Sequence, residues 1–530
     1  MTAPQDIKEP GLTIAYNPAT GEEIGQVPNT DLNQLPEIFA HARAAQKIWA
    51  HRSFKERARA LRLMRDYIVA NAEELSEVVS KSNGKTLVDA LATEVLPCTL
   101  ACDWYGKHAE KVLKEKKLPI DSPLFINKRT VIQRKPLGVV GIISPWNYPL
   151  SIPFGEVIMG LMAGNAIILK VAAATPLVGE AINKIIEAGH LPKGLFQQIV
   201  GSGGAVSQAF FDHSIDKIFF TGSVPVGKQL MEQASKTLTP LSLELGGNDP
   251  MLVFEDADLE RATNGAAWAG FQNAGQSCGG VERIYVHESV YEPFLELMKK
   301  KTAAMRHGVG QGFDVDMGSL TTRGQLNTVE QHMEDALAKG AKIEAQSKPV
   351  GPQNGYFHPA TLLSGTTNDM LLVNDETFGP IIPVMKFSTE EEAIALANES
   401  HLALTSSIWT RDLKRGKRVA GLLESGVTTI NDHLYTHGIS EMPWGGWKHS
   451  GLGRTHGHEG LLEMTHAKAI NWDILPMKRN AWWYPFDENT YNALLKAQRM
   501  MYPQDAKEFL GSALGAAPTM VKKMLTRWKV

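Results

Sequence analysis

Gly138-Val139-Val140-Gly141-Ile142-Ile143-Ser144 is the short apolar run from which the fold of this chain can be argued. Its composition and length predict a buried strand. A helix at 153–164, a second apolar strand at 166–170 and a helix at 175–188 are predicted to follow it. The last helix opens with a threonine N-cap and a proline, as helices often do. Short apolar strands that alternate with helices predict a parallel, doubly wound sheet, which binds ligands at the carboxyl ends of its strands.

The same alternation continues on both sides of the pair Gly246-Gly247. Before the pair, the pattern predicts strands and helices at 195–200, 205–211, 216–220, 224–234 and 240–245. After it, the pattern predicts strands and helices at 251–254, 259–271, 283–286 and 290–306. We therefore expect two α/β domains with the glycine pair as a hinge. Clefts between domains are common ligand sites.

Two segments differ from this pattern. Residues 29–112 carry apolar side chains at three- and four-residue steps, which predicts a helical lead-in. Cys98 and Cys102 lie on one face of it, and two thiols without further His or Cys partners favour core packing over a metal site. Residues 118–136 predict a projecting hairpin. Such a ribbon lends an edge strand to a partner subunit, or it is an ordinary surface hairpin.

The composition is that of a globular protein. Of 530 residues, 43% are hydrophobic and 21% charged, and the net charge of −3 offers no general attraction for nucleic acid. Only three cysteines occur, and the first ten residues lack the basic start and apolar run of a signal peptide. We therefore expect a cytoplasmic protein. Prolines and asparagines interrupt the apolar tract at 137–169, which favours buried strand and helix over a membrane span.

Cys278 lies among small and amide-bearing residues in the stretch Phe271-Gln272-Asn273-Ala274-Gly275-Gln276-Ser277-Cys278-Gly279-Gly280. A thiolate is a strong nucleophile, and the glycines leave room for a substrate to approach the sulfur. The alternative is a small, buried and inert side chain.

Two glycine-bearing turns follow predicted strands, Gly201-Ser202-Gly203-Gly204 and Thr221-Gly222-Ser223-Val224-Pro225-Val226-Gly227-Lys228. In the second, free backbone N–H groups and the Ser223 hydroxyl suit a phosphate group. The chain has no Gly-x-Gly-x-x-Gly fingerprint, so ordinary turn chemistry is the alternative.

Several separate motifs occur in one order along the chain: Pro145-Trp146-Asn147-Tyr148-Pro149, Gly164-Asn165 through Lys170, Phe220-Thr221-Gly222-Ser223, Leu243-Glu244-Leu245-Gly246-Gly247, Gly275-Gln276-Ser277-Cys278, Glu376-Thr377-Phe378-Gly379-Pro380, Pro443-Trp444-Gly445-Gly446-Trp447-Lys448 and Ser450-Gly451-Leu452-Gly453-Arg454. Together they resemble the aldehyde dehydrogenase superfamily over roughly residues 12–472. The resemblance implies an α/β fold with a Rossmann-like doubly wound cofactor domain, a second α/β catalytic domain and a small β oligomerisation ribbon.

The resemblance implies catalytic roles for three residues. Cys278 would attack an aldehyde carbonyl, and the Asn147 amide and the Cys278 backbone N–H would hold the oxyanion. After oxidation of this thiohemiacetal to a thioester, Glu244 would activate the water that releases a carboxylic acid. Glu244 favours this hydrolytic reaction over acyl transfer to coenzyme A, which is the alternative activity. The complete set of three argues against a catalytically silent binding or structural member.

The resemblance also implies an NAD or NADP site. Its residues are Trp146, Lys170, Gly203, Gly222, Ser223, Leu245, Glu376 and Phe378. Three residues after Lys170, where NAD-using members usually carry a glutamate, this chain has Ala173. Because a glutamate there would repel a 2′-phosphate, NADP should be tolerated. Trp444, Ser277 and Gly279 are expected to line a substrate tunnel, which favours a medium-chain, long-chain or aromatic aldehyde.

These assignments divide the chain. Residues 1–117 and 137–245 are expected to form the cofactor domain with its helical lead-in, and 246–445 the catalytic domain. Residues 118–136 and 460–475 are expected to form the oligomerisation ribbon of a homodimer or homotetramer. Residues 476–530 are a C-terminal extension beyond the usual end of the family.

Two features are left over. Six histidines lie between 431 and 466, and their spacing matches no established ligand pattern, so loop or rim positions are expected and no metal site. The extension contains an aromatic stretch at 482–486, an amphipathic helix at 491–501 and a basic amphipathic end at 520–530. That end suits a peripheral membrane contact, a neighbouring subunit, the substrate tunnel or a packing arm.

Overall fold

A computed structural model describes residues 11–527. The chain begins with an antiparallel strand pair, Leu12–Tyr16 and Glu23–Pro28, which the sequence pattern did not predict. The helical lead-in follows as predicted. Its helices are Leu35–Ala50, Phe54–Ala70, Ala72–Asn83, Leu87–Ala90 and Leu96–Leu113, with a π-helical turn at Leu91–Val95. Cys98 and Cys102 are buried in the last of them.

The first large sheet has six strands and confirms the predicted doubly wound fold. Its order is Gly451–Leu452, Leu241–Glu244, Lys217–Thr221, Val139–Ile143, Ala166–Lys170 and Phe196–Ile199. All neighbours are parallel except the edge strand Gly451–Leu452. The intervening helices are Ser151–Ala163, Pro176–Ala188, Gly203–Asp212 and Val224–Ser235. The sheet therefore brings the ends of several strands to one edge, where ligand sites form.

The second large sheet has seven strands and confirms the second α/β series. Its order is Lys342–Gln346, Thr361–Ser364, Ile381–Phe387, Val281–His287, Asp249–Val253, Thr405–Trp409 and Val427–Ile430. Only the pairing of Lys342–Gln346 is antiparallel. The main helices are Leu259–Phe271, Tyr291–Ala304, Arg323–Ala338, Glu390–Asn398 and Leu413–Ala420. Shorter elements are Arg306–Gly308, Lys348–Val350, Leu371–Asn374, Leu402–Ala403, Trp447–Lys448 and Gly457–Glu463.

The chain divides into two compact units. The first comprises the described residues up to Val112 together with Pro136–His466. The second unit comprises Leu113–Lys135 and Ala467–Val530. Its three-stranded sheet has the order Thr465–Asp473, Lys128–Pro136 and Lys116–Leu118, and the last two form the predicted hairpin. Two helices follow, Glu488–Met501 and Ala506–Leu525. Residues 528–530 of the predicted basic end lie outside the described residues.

Within residues 11–527, no helix combines the length and the apolar character that crossing a membrane requires. The apolar tract at 137–169 instead forms a strand, the helix Ser151–Ala163 and part of a second strand. All thirteen residues of that helix are buried. Its apolar character is therefore that of a core helix.

Candidate active site

Cys278 follows a backbone turn in an uncommon conformation. After the helix Leu259–Phe271, Asn273 and Ala274 both have φ of 53°, and Gly275 has φ of 72°. A Cβ atom at Gly275 would lie 2.2 Å from the carbonyl oxygen of Gly379, so only glycine fits. Non-glycine residues in the left-handed region are strained, and such strain is concentrated at functional sites. The turn holds Cys278 half-buried, and its thiol is free and forms no disulfide among the described residues.

Cys278 lines a cavity that also contains Glu244, Leu245 and Trp444. The remaining lining residues are Ile152, Glu156, Thr221, Leu404, His437, Thr455 and His456. Four residues singled out in the sequence are thus brought together. The carboxyl and imidazole groups of the remaining lining residues were not anticipated.

Glu244 is the last residue of its strand and is 5% exposed. Neither of its carboxylate oxygens has a hydrogen-bond partner among the described residues. Burial raises the pKa of Glu244 well above its usual value, the charge of Glu156 raises it further, and Arg454 acts in the opposite direction. Buried polar groups are nearly always paired, and an unpaired carboxylate facing a cavity is typical of a catalytic acid or base.

The thiol of Cys278 is not a preformed thiolate. Burial raises its pKa, and the carboxyl groups of Glu376, Asp249 and Glu244 raise that pKa further. The backbone N–H of Gly279 lowers it. A proton must therefore leave the sulfur as it becomes a nucleophile, and a base must be close by.

Asn147 lies beside the Cys278 turn. The side-chain Nδ2 of Asn147 donates to the backbone carbonyl oxygen of Gln276 over 3.1 Å. The backbone carbonyl oxygen of Asn147 accepts from Asn273 Nδ2 over 3.0 Å. One of the two Nδ2 hydrogens is used in this way. Only 3% of Asn147 is exposed, so packing fixes the direction of its side-chain amide.

A fully buried ion pair supports this arrangement, and sequence analysis missed it. Lys85 Nζ lies 2.7 Å from Glu94 Oε1 and donates to the Asn147 carbonyl over 2.9 Å. Glu94 Oε2 accepts from the backbone N–H groups of Leu150 and Ser151, at the start of the helix Ser151–Ala163. Nothing in the helical pattern around these two charges distinguishes them from surface residues.

Four of the predicted cofactor residues, Lys170, Gly203, Gly222 and Ser223, lie at the carboxyl ends of strands in the first sheet. Lys170 ends its strand, is buried, and makes no hydrogen bond or ion pair from Nζ to a described residue. Burial lowers the pKa of Lys170 to about 8. Gly222 and Ser223 precede the helix Val224–Ser235, and the Ser223 hydroxyl does not cap it. Gly203 begins its own helix.

The turn that carries Glu376 is held by a second carboxylate. Glu282 accepts from the backbone N–H groups of Thr377 and Phe378 over 2.7 and 2.8 Å. Glu376 Oε1 accepts from the Gly247 N–H over 3.0 Å, and burial raises the pKa of Glu376 to about 7. The rings of Phe378 and Trp146 meet edge to face, with centroids 5.6 Å apart.

The three predicted tunnel residues have different environments. Trp444 lines the cavity. A Cβ atom at Gly279 would lie 2.9 Å from the Trp444 ring, so the glycine allows the indole to approach the Cys278 turn. Ser277 is 2% exposed, and its hydroxyl bonds to Gln272 Oε1 over 3.2 Å and to the Tyr148 hydroxyl. Ser277 thus faces the protein interior.

Three of the six histidines, expected at loop or rim positions, do not lie at the rim. His433 is 1% exposed, with Nε2 3.0 Å from the Gly279 carbonyl oxygen. His437 and His456 line the cavity with ring centroids 4.5 Å apart. Burial lowers the pKa of His433 and His437 to about 4 and that of His456 well below its usual value. Among the described residues, no group of three or more metal-ligating side chains is found.

Residues 8–470 match the sequence model of the aldehyde dehydrogenase family. The chain is 35% identical over 494 residues to 4,4'-diapolycopene aldehyde oxidase of Methylomonas sp, covering 93% of this chain and 92% of that protein. It is 35% identical over 455 residues to a putative succinate-semialdehyde dehydrogenase [NADP(+)] of Mycolicibacterium smegmatis, covering 85% and 87%. The solved NAD+ complex of an aldehyde dehydrogenase from Bacillus cereus superposes with a TM-score of 0.83 at 32% identity, covering 88% of this chain and 94% of that one. This chain belongs to the aldehyde dehydrogenase family.

Proposed function

We propose that the protein oxidises an apolar aldehyde to the carboxylic acid with NAD or NADP, using Cys278 as nucleophile and Glu244 as base. One observation carries the proposal. The Cys278 thiol and the unpaired, buried carboxyl of Glu244 line one cavity. A nucleophile whose pKa is raised needs a base, and Glu244 is a carboxyl group within that cavity with no competing partner.

In this mechanism Cys278 Sγ attacks the aldehyde carbonyl carbon while the thiol proton passes to Glu244. The negative charge that develops on the carbonyl oxygen is held by the Cys278 backbone N–H and by the second Nδ2 hydrogen of Asn147, which Gln276 leaves free. Such preorganised donors stabilise the transition state by about 3–4 kcal/mol each. When bound, NAD or NADP supplies the two-electron oxidant. Glu244 passes the thiol proton to solvent and then takes a proton from the water that attacks the Cys278 thioester. Breaking of the C–S bond releases the acid and the Cys278 thiolate, which is protonated again to the thiol.

The residues present fit a nicotinamide dinucleotide. Lys170 is a buried cation without an anionic partner among residues 11–527. The helix Val224–Ser235 offers free backbone N–H groups and the Ser223 hydroxyl. We propose that Lys170 holds the adenosine ribose and that Gly222 and Ser223 hold the pyrophosphate. Gly203 and Leu245 would border the dinucleotide. Glu376 would hold the nicotinamide ribose, with Trp146 and Phe378 beside the ring.

We also propose that the protein accepts both NAD and NADP. Ala173 removes the carboxylate expected to repel a 2′-phosphate. The names of two similar proteins support both choices, since one is described with NADP and the other was solved with NAD+.

An apolar substrate is supported by the cavity lining. Ile152, Leu404 and Trp444 supply apolar surface, and no lysine or arginine is among the described lining residues. A second carboxylate on the substrate would therefore lack a cationic partner in the cavity. The relative named 4,4'-diapolycopene aldehyde oxidase is matched over 494 residues, 93% of this chain, and a match of that length reaches into residues 476–530. This favours a medium-chain, long-chain or aromatic aldehyde over a semialdehyde acid.

The test is a panel of aldehydes followed by NADH or NADPH absorbance, with and without coenzyme A. Long-chain and aromatic aldehydes should give the highest kcat/KM, and no coenzyme A should be required. A higher kcat/KM for succinate semialdehyde contradicts the substrate class. Strict dependence on coenzyme A identifies an acylating enzyme, and no turnover of any aldehyde identifies a catalytically silent member.

We also propose the domains expected from the sequence. They are a cofactor domain at 1–117 and 137–245, a catalytic domain at 246–445, a ribbon at 118–136 and 460–475, and an extension at 476–530. A homodimer or homotetramer would form through the ribbon, whose strands Lys128–Pro136 and Thr465–Asp473 pair directly. The three free cysteines support a reducing, cytoplasmic location, and the C-terminal extension is proposed as a place of membrane contact.

A further inference from the structure

The second unit carries a charge opposite to that of the rest of the chain. Its two segments, Leu113–Lys135 and Ala467–Val530, contain 17 lysines and arginines against 7 aspartates and glutamates, a net charge of +10. Because the whole chain has a net charge of −3, the remaining residues carry −13. Such charge asymmetry within one chain indicates that the basic part binds a negatively charged partner.

The helix Ala506–Leu525 in this unit makes polar contacts from the face that packs against the helix Glu488–Met501. Ser512, Ala516 and Lys523 are buried, and Lys523 Nζ donates to Thr490 Oγ1 over 3.0 Å and to the Pro485 carbonyl over 2.9 Å. These contacts fix the rotation of the helix against the helix Glu488–Met501. The opposite face is therefore turned outwards.

That outward face is apolar. We call its four side chains the outer stripe: Leu510, Leu514, Val521 and Leu525, with 60%, 77%, 52% and 61% exposed. Steps of four, seven and four residues place them along one side of the helix. No charged residue occurs between Phe509 and Val521. A surface helix normally has polar side chains on its exposed face and apolar side chains on its buried face. The outer stripe therefore needs a partner that covers it.

Aromatic and basic side chains of the same unit indicate what that partner is. Trp483, Tyr484, Phe486 and Tyr502 are each more than half exposed. Trp and Tyr rings combine an apolar body with a polar edge and are enriched where lipid meets water. The uncharged part of the helix is preceded by Lys507 and Glu508 and followed by Lys522. Lysines at the ends of an apolar stretch are typical of helices that lie on anionic membranes.

We propose that the outer stripe docks the protein on an anionic lipid bilayer, with the helix Ala506–Leu525 lying in the headgroup region and the exposed aromatic rings beside it. An anionic lipid surface complements the net charge of +10 that this unit carries. The docking names the surface of the membrane contact proposed above and does not depend on the oxidation chemistry.

The test is co-sedimentation of the full-length protein with vesicles of phosphatidylcholine, with or without phosphatidylserine. We expect binding to the mixed vesicles, little binding to phosphatidylcholine alone, and a loss of binding in high salt. The triple variant Leu510→Gln/Leu514→Gln/Val521→Gln should bind at least about tenfold more weakly, because its stripe has lost apolar surface. The matched control is Leu413→Gln/Leu422→Gln, two residues of the other unit that are 54% and 51% exposed, and it should bind like the wild type.

Circular dichroism and aldehyde turnover of the triple variant show whether it is folded, independently of binding. Equal binding by a folded triple variant and the wild type overturns the proposal. Wild-type binding that does not depend on phosphatidylserine also overturns it. If the wild type binds neither kind of vesicle and the triple variant changes oligomeric state in size-exclusion chromatography, the stripe is a subunit interface and the proposal is wrong.

Discussion

Glu156 and Glu244 line the same cavity, and the charge of Glu156 raises the pKa of Glu244. Burial alone raises the pKa of Glu156 to about 8, and its Oε2 has no partner among the described residues. Two buried carboxyl groups that interact in this way do not both ionise readily. The protonation of Glu156 therefore influences the pH at which Glu244 becomes a base.

The first prediction concerns the pH dependence of kcat. Above about pH 8, where Glu156 is ionised, Glu156→Gln removes the charge that opposes ionisation of Glu244, so the pKa of Glu244 falls. The acidic limb of the profile should move to lower pH by up to about one unit. Glu156→Asp keeps a carboxyl group and serves as the control. A limb that is unchanged in the Gln variant contradicts the coupling.

The same substitution should change stability in a pH-dependent way. In the unfolded chain Glu156 ionises near its usual pKa of 4.5, whereas in the folded protein it stays protonated up to about 8. The folded state binds more protons between these values, so its stability falls as pH rises through them. Glu156→Gln lacks this loss and should gain up to roughly 3 kcal/mol near pH 7. Melting temperatures measured near pH 5 and near pH 8 check this, because the advantage of the variant must grow between them.

Cys278→Ala should lower turnover by at least about a thousandfold, since no other thiol lines the described cavity. Cys102→Ala is the matched control, because Cys102 is also buried with a raised pKa but lies in the helix Leu96–Leu113. NADH formation with a fixed aldehyde measures both. Turnover by Cys278→Ala near the wild-type rate rules out the thioester mechanism.

The parallel sheets were predictable because their strands are short apolar runs between helices. The strands Val139–Ile143 and Ala166–Lys170 are buried at every position, so the sequence needs no tertiary information to indicate them. The hairpin Leu12–Tyr16 with Glu23–Pro28 was missed because its strands are short and only partly buried.

The site was predictable where its chemistry lies within one motif, as for Cys278 and Glu244. His437 and His456 could not be placed, because their approach to the cavity depends on packing between segments distant in sequence. Glu156 did carry a signal. It is the lone charge in the apolar helix Ser151–Ala163, and such a residue is seldom buried without a function.

The cofactor prediction can be tested by restoring the missing carboxylate. Ala173→Glu places an acid three residues after Lys170, where it should accept from ribose hydroxyls and repel a 2′-phosphate. We expect the ratio of KM for NADP to KM for NAD to rise by about tenfold or more. Ala173→Gln has similar size without the charge and should change the ratio much less. An equal change in both variants indicates a steric effect and not repulsion.

The last prediction separates the structural and catalytic effects of Lys85. Lys85→Met leaves Glu94 buried without its partner and should lower the free energy of unfolding by about 3–5 kcal/mol. Adding Glu94→Gln removes the unpaired charge and should recover much of this loss, as followed by urea denaturation. It does not restore the hydrogen bond from Lys85 Nζ to the Asn147 carbonyl, so kcat should stay about tenfold or more below the wild type. Lys81→Met, which breaks an exposed ion pair with Glu77, should change either quantity little. Recovery of kcat together with stability in the double variant would show that Lys85 only supports folding and does not position Asn147.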